Sequence, residues 1–211
     1  MRKVVVVDYG RGNLRSVQKA LELVGLDAKI TREPRDLDDA HAVVLPGVGA
    51  FRDCMKSLVS LGLVNPLVRA IERGKPFLGI CLGLQILFDE SEEFGPTPGL
   101  GLLAGQVRRF PSDRDGLAGL KIPHMGWNTV DLTRESPLFR GIPAGAHFYF
   151  VHSYFVEPCD PAVVLGLTEY GVSFASVVQK DRLVATQFHP EKSQNAGLRF
   201  LANFRDWISH D

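Results

Sequence analysis

The sequence predicts an α/β fold: an open, mixed but mainly parallel central sheet with flanking helices and an added antiparallel portion. Three observations carry this. Short apolar runs without polar alternation, at residues 4–7 and 77–80, suit strands buried on both faces of a parallel sheet. Patterns of helical period lie between such runs, as they do where parallel strands are joined by helical crossovers. After about Ser91 the segments shorten and turn residues separate them, which reads as antiparallel.

The elements follow in order. Residues 4–7, all valine, form a first strand that Asp8, Tyr9 and Gly10 end. Leu14, Val17, Leu21 and Val24 recur at steps of three and four, with Asn13 placed to cap the helix and Gly25 to close it. Strands are expected at 26–30 and 42–45, and a second helix over 50–61. A third helix is bracketed by Asn65 as cap, Pro66 in the first turn and Gly74 at the end. Residues 77–80 make a fourth buried strand. Beyond Ser91, strands are expected at 107–110, 129–132, 147–156, 163–167, 173–179 and 183–188, with turns at 95–99 and 113–116 and a last helix over 195–208. There is no internal repeat and no linker-like stretch, and 211 residues suit one core, so residues 1–211 are read as a single domain.

Composition narrows the function. Lysine plus arginine number 24 and aspartate plus glutamate 24, so no basic field exists to displace counterions from a polyanion, and nucleic acid is not an expected partner. The longest apolar stretch, 77–88, carries Gln85 and two glycines and is shorter than the roughly 20 residues a bilayer span needs. The first residues turn acidic at Asp8, too soon for a secretory signal, so a cytoplasmic protein without membrane contact is expected. Cys54, Cys81 and Cys159 are odd in number and lack C-x-x-C spacing, which argues against a disulfide framework or a thiolate zinc site. His124, His147 and His152 lack ligand spacing, and neither metal nor cofactor is expected.

The chemistry concentrates at Cys81. In Gly79-Ile80-Cys81-Leu82-Gly83 a cysteine stands between a buried strand and an expected helix, flanked two residues away by glycine. This is the thiol form of a nucleophile elbow, whose small neighbours permit a sharp corner. The N-terminus of a following helix would favour the thiolate, and the Leu82 amide is a candidate oxyanion donor. A buried, inert thiol is the competing reading. A nucleophile needs a base and an orienting group. His189 follows the expected 183–188 strand, stiffened by Pro190, and Glu191 can hold one imidazole nitrogen while the other takes the thiol proton. The loop Gly47-Val48-Gly49 matches no phosphate-binding spacing, but its glycines leave an amide free to turn towards an oxyanion.

These motifs resemble class I glutamine amidotransferases, through Gly79 to Gln85 around the cysteine and His189-Pro190-Glu191. Asp8-Tyr9-Gly10-Arg11-Gly12-Asn13-Leu14, Leu45-Pro46-Gly47-Val48-Gly49-Ala50-Phe51 and Pro123-His124-Met125-Gly126-Trp127-Asn128 are similar to one branch, the glutaminase subunits that serve histidine biosynthesis. The resemblance covers essentially the whole chain. It implies that Cys81 attacks L-glutamine, that His189 moves the proton and that Glu191 orients it. Gly47, Val48, Gly49 and Leu82 would form the oxyanion site, and Gln85, Ser153 and Tyr154 would bind substrate. It further implies a heterodimer with a (βα)8-barrel cyclase that takes the ammonia and makes imidazole glycerol phosphate and an aminoimidazole carboxamide ribonucleotide. Asn13, Met125, Trp127 and Tyr149 would face that partner. Two other readings remain: a glutaminase subunit for pyridoxal phosphate or formylglycinamidine synthesis, or a non-catalytic regulatory subunit. Cys54 reads as packing, Cys159 as a turn residue, and the stripe Arg11, Arg15, Lys19 as a solvated face.

Overall fold

The computed structural model describes residues 3–111 and 120–209, so the turn expected at 113–116 lies outside the described residues. In chain order the first half holds β1 (Lys3–Val7), α1 (Leu14–Leu23), β2 (Asp27–Thr31), α2 (Pro34–Asp39), β3 (Ala42–Gly47), α3 (Phe51–Ser60), α4 (Val64–Glu72) and β4 (Phe77–Cys81). There follow α5 (Leu82–Gln85), β5 (Phe88–Ser91), β6 (Thr97–Pro98), β7 (Leu103–Arg109), β8 (His124–Thr129) and β9 (Asp131–Leu132). The remainder is β10 (His147–His152), β11 (Tyr154–Pro158), β12 (Val164–Tyr170), β13 (Val172–Lys180), β14 (Leu183–Thr186) and α6 (Gln194–Trp207).

The main sheet runs β2-β1-β3-β4-β14-β13-β11-β7-β5-β6, with β12 on β13 and β9 on β12. From β2 to β14 every neighbouring pair is parallel. At β13 the direction reverses, and β11 and β7 continue antiparallel. β8 and β10 form a separate antiparallel ribbon. The mixed sheet, parallel from β2 to β14 and antiparallel after it except where β5 runs parallel to β7, is the expected architecture.

The valine run explains the layering. Val4 and Val6 pack in one core with Val17 and Leu21 of α1 and Phe200, Leu201 and Phe204 of α6. Val5 and Val7 pack in the other with Cys54 and Leu58 of α3 and Leu67 of α4. A strand places alternate side chains on opposite faces, so a run with no polar residue requires helices on both. Each valine so buried contributes about 1.5–3 kcal/mol. Cys54 lies in this second core, where burial pushes its thiol up to about 12, as suits a packing residue.

Several elements differ from expectation. Helix α4 starts after Leu63, so Asn65 and Pro66 lie inside its first turn and Asn65 is not the cap. Asn13 does stand at the start of α1, but its side chain makes no capping bond; its carbonyl accepts from Val17 instead. The expected 147–156 strand is two strands broken at Ser153, and β8 lies upstream of the expected 129–132 strand, of which only the short β9 is separate. β14 ends at Thr186, two residues short of the expected end, although the Gln187 amide still donates to the Ser176 carbonyl at 2.8 Å in the register of the β13–β14 ladder. α2, β5 and β6 carry no periodic signal; in α2 only Leu37 is buried.

No single helix among the described residues is long and apolar enough to cross a membrane.

Candidate active site

β3, β4 and β14 lie side by side and end together, with Gly47 opposite Cys81 and Thr186 opposite Ile80. A ligand site at the carboxyl ends of parallel strands follows from this geometry. Cys81 is the turning point. Its backbone sits at φ 56°, ψ −107°, a conformation that side-chain-bearing residues rarely adopt and that stores strain where structure enforces it. The enforcement is visible in the glycines. A Cβ on Gly83 would lie 1.9 Å from the Leu45 carbonyl oxygen, and one on Gly79 would lie 2.7 Å from the Gly83 carbonyl oxygen. The flanking glycines therefore serve close backbone approach, while the cysteine itself takes the strained dihedral. Helix α5 is a single turn, so the helix-dipole support expected for the thiolate is not provided.

His189 and Glu191 come from the segment after β14. His189 Nδ1 meets Glu191 Oε1 at 2.8 Å, with side chains only 2% and 1% exposed. The carboxylate accepts from Nδ1, which leaves Nε2 as the nitrogen free to exchange a proton. Nε2 is buried with no hydrogen-bond partner, as is Glu191 Oε2. Burial lowers the pKa of His189, but the neighbouring Cys81 sulfur and the Glu191 carboxylate outweigh it and raise the value to about 10. An imidazole so supported is a strong proton acceptor at Nε2.

Beside Cys81 opens a cleft of about 420 Å³ lined by Val48, Gly49, Leu82, Gln85, Ser153 and Tyr154 among others. Six of the seven residues expected at the oxyanion and substrate positions thus share one wall, and Gly47 sits behind them in β3. Gln85 spends its amide nitrogen on the Tyr154 carbonyl at 2.9 Å and on Gln187 Oε1 at 3.1 Å. Three residues here carry no sequence signal of their own. Glu93 lines the cleft and accepts from the Phe51 amide, His152 lines it, and Gln187 donates to the Cys81 sulfur at 3.6 Å.

The class-I glutamine amidotransferase family model matches residues 5–207. The chain belongs to the class-I glutamine amidotransferases. It is 54% identical over 204 residues to the imidazole glycerol phosphate synthase subunit HisH of Syntrophotalea carbinolica, covering 96% of this chain and 99% of the relative. The same subunit of Geobacter sulfurreducens is 51% identical, covering 97% and 98%. Within the family the chain falls with these HisH subunits. The structure of PurLQS from Thermotoga maritima superimposes with a TM-score of 0.74 at 20% identity, over 98% of this chain and 99% of that one, which shows the fold.

In this class-I amidotransferase the β8–β10 ribbon stands over the site. Met125 and Trp127 on β8 are 62% and 47% exposed. Trp127 packs edge-on against Tyr149 of β10 at 5.8 Å, and Lys192 lies over the Tyr149 ring. The ribbon reaches the base through the backbone. The His189 amide donates to the Tyr149 carbonyl at 2.9 Å. The Tyr149 amide donates to Ser193 Oγ at 2.9 Å, whose hydroxyl donates to the His189 carbonyl at 2.6 Å. Asn13, exposed, immediately precedes α1, and that helix packs against the same Pro190–Lys192 turn. Arg11 pairs with Asp53, Arg15 with Gln18 and Lys19 with Glu22, as a solvated stripe should.

Proposed function

We propose that residues 1–211 act as one glutaminase domain, the cytoplasmic subunit that frees ammonia from L-glutamine for a separate cyclase. The observation that carries this reading is the buried His189–Glu191 pair, whose unbonded Nε2 adjoins a cysteine held at φ 56° beside a cleft. Cys81 gives its proton to His189 Nε2, and the thiolate adds to the side-chain amide carbon of glutamine. The amide N–H groups of Leu82 and of the Val48–Gly49 stretch receive the developing oxyanion, each such donor being worth about 2.7–4 kcal/mol. His189 then returns the proton to the departing nitrogen, and ammonia leaves a glutamyl thioester. Water, deprotonated by the same imidazole, hydrolyses the thioester to glutamate and restores the thiol. No cofactor enters these steps.

The partner is a cyclase of (βα)8-barrel form, bound as a heterodimer through Asn13, Met125, Trp127 and Tyr149. It uses the ammonia to make imidazole glycerol phosphate and an aminoimidazole carboxamide ribonucleotide. The names of the relatives, synthase subunits at about half identity, support this acceptor. An exposed tryptophan and methionine side by side on a ribbon suit an interface anchor. The test is glutamate release by the purified chain, alone and with the cyclase barrel and its nucleotide ligand. Stimulation by the barrel, abolished in Cys81→Ala, is expected. Activity indifferent to the barrel would reassign the partner, and activity surviving in Cys81→Ala would remove the thiol mechanism.

A further inference from the structure

Gln187 lies within the apolar run leading to His189, is fully buried, and holds a side-chain amide where a leucine would fill the space. Burying an amide is unfavourable unless each of its groups is bonded, so its partners indicate why it is there. Its oxygen accepts from Gln85 Nε2 at 3.1 Å, and its nitrogen lies 3.6 Å from the Cys81 sulfur.

The orientation of that amide follows from fixed donors and acceptors. The Tyr154 carbonyl can only accept, so Gln85 must present its nitrogen there, at 2.9 Å. The second proton on that nitrogen goes to Gln187 Oε1, which leaves Gln187 Nε2 facing the sulfur. The Tyr154 carbonyl is itself held from the opposite side. His152 Nδ1 lies 2.9 Å from it, His124 Nδ1 lies 3.0 Å from His152 Nε2, and Asn128 Nδ2 lies 3.3 Å from His124 Nε2. Asn128 cannot flip within this row, because its Oδ1 accepts from the Thr129 amide at 2.8 Å. Every donor therefore points one way: from Asn128 through both neutral imidazoles to the Tyr154 carbonyl. From the other side Gln85 donates to that carbonyl and to Gln187, and Gln187 donates to sulfur.

We propose that Gln187 is a further member of the catalytic set: its obligatory N–H, aimed at Cys81, stabilises the thiolate that attacks the substrate. A donor held against sulfur favours the charged form over the thiol, and hydrogen bonds to charged groups are the strong ones. This inference rests on Cys81 being the nucleophile.

The test uses the full chain, wild type, Gln187→Leu and Gln187→Met, with the cyclase partner present. Alkylation of Cys81 by iodoacetamide is followed by mass spectrometry across pH, and kcat and KM for glutamine are measured in parallel. Loss of one charge-assisted bond is expected to move the midpoint of Cys81 alkylation up by about one pH unit or more. It should lower kcat by about 10- to 100-fold and leave KM within about threefold. A mere packing role would alter melting temperature and leave the alkylation midpoint in place. A folded Gln187→Leu whose midpoint and kcat overlay those of wild type overturns the proposal. Should the leucine variant not fold, Gln187→Met, which keeps the length of the side chain and removes its N–H, decides between the two roles: the midpoint rises if the proposal holds and stays in place if Gln187 only packs. Wild-type chain that releases no glutamate would sink the glutaminase reading instead, while the alkylation midpoints would still decide the role of Gln187.

Discussion

Glu191 accepts one strong bond, from His189 Nδ1, and its second oxygen is buried without a partner. Its negative charge, rather than its shape, is what supports an imidazolium inside the protein. Glu191→Gln keeps the shape and an acceptor and loses the charge, so kcat for glutamine should fall about 10²- to 10⁴-fold with a native-like fold. Steady-state glutamate release together with a circular dichroism spectrum checks both halves of that statement. At this scale the sequence is legible where spacing is local. His189 and Glu191 are two residues apart, and Cys81 carries its glycines with it, so these positions announce their chemistry. Gln187 does not, because a glutamine in an apolar run looks the same whether it faces solvent or a thiol. Its meaning depends on Gln85 and Tyr154, which arrive from distant parts of the chain.

Among the elements, the β4–α5 corner and the β8–β10 ribbon carry distinct risks. Gly83→Ala puts a methyl group against the Leu45 carbonyl oxygen, where neither backbone can yield without separating β3 from α5. It should cost about 2–4 kcal/mol, read from the urea midpoint. Gly74→Ala, strained at φ +72° with open space around it, should cost only about 1 kcal/mol. In the ribbon, burial lowers His124 to about 4, and His152, also dominated by burial, to about 3. The unfolded chain binds these protons near pH 6.5 and the folded chain does not. Their contribution is therefore intact above pH 6.5 and is lost as pH falls towards 4. The melting temperature should drop across that window, and His124→Phe, whose ring can keep the stacking with Phe150 and Tyr170, should flatten the drop. Periodicity finds long amphipathic or wholly apolar elements and misses others for physical reasons. Residues 147–156 contain no breaker, so the division at Ser153 is invisible, being set by β11 joining the main sheet while β10 pairs with β8. That His124 and His152 meet at 3.0 Å is equally hidden, since 28 residues separate them.

For the molecule as a whole, alternation of strands and helices is enough to indicate a mixed sheet, whereas strand order is not written locally. β14, late in the chain, inserts beside β4, and only that insertion brings His189 to Cys81. The outward face of the ribbon is where another chain would find purchase. Trp127→Ala should weaken association with the cyclase by about 10- to 100-fold in a titration calorimeter, while the melting temperature of the chain alone stays put. The bonds joining Tyr149, Ser193 and His189 give that contact a mechanical meaning. Ribbon and imidazole backbone are thus clamped at two points, one direct and one through Ser193. A partner seated on Tyr149 would therefore bear directly on the backbone that carries the base.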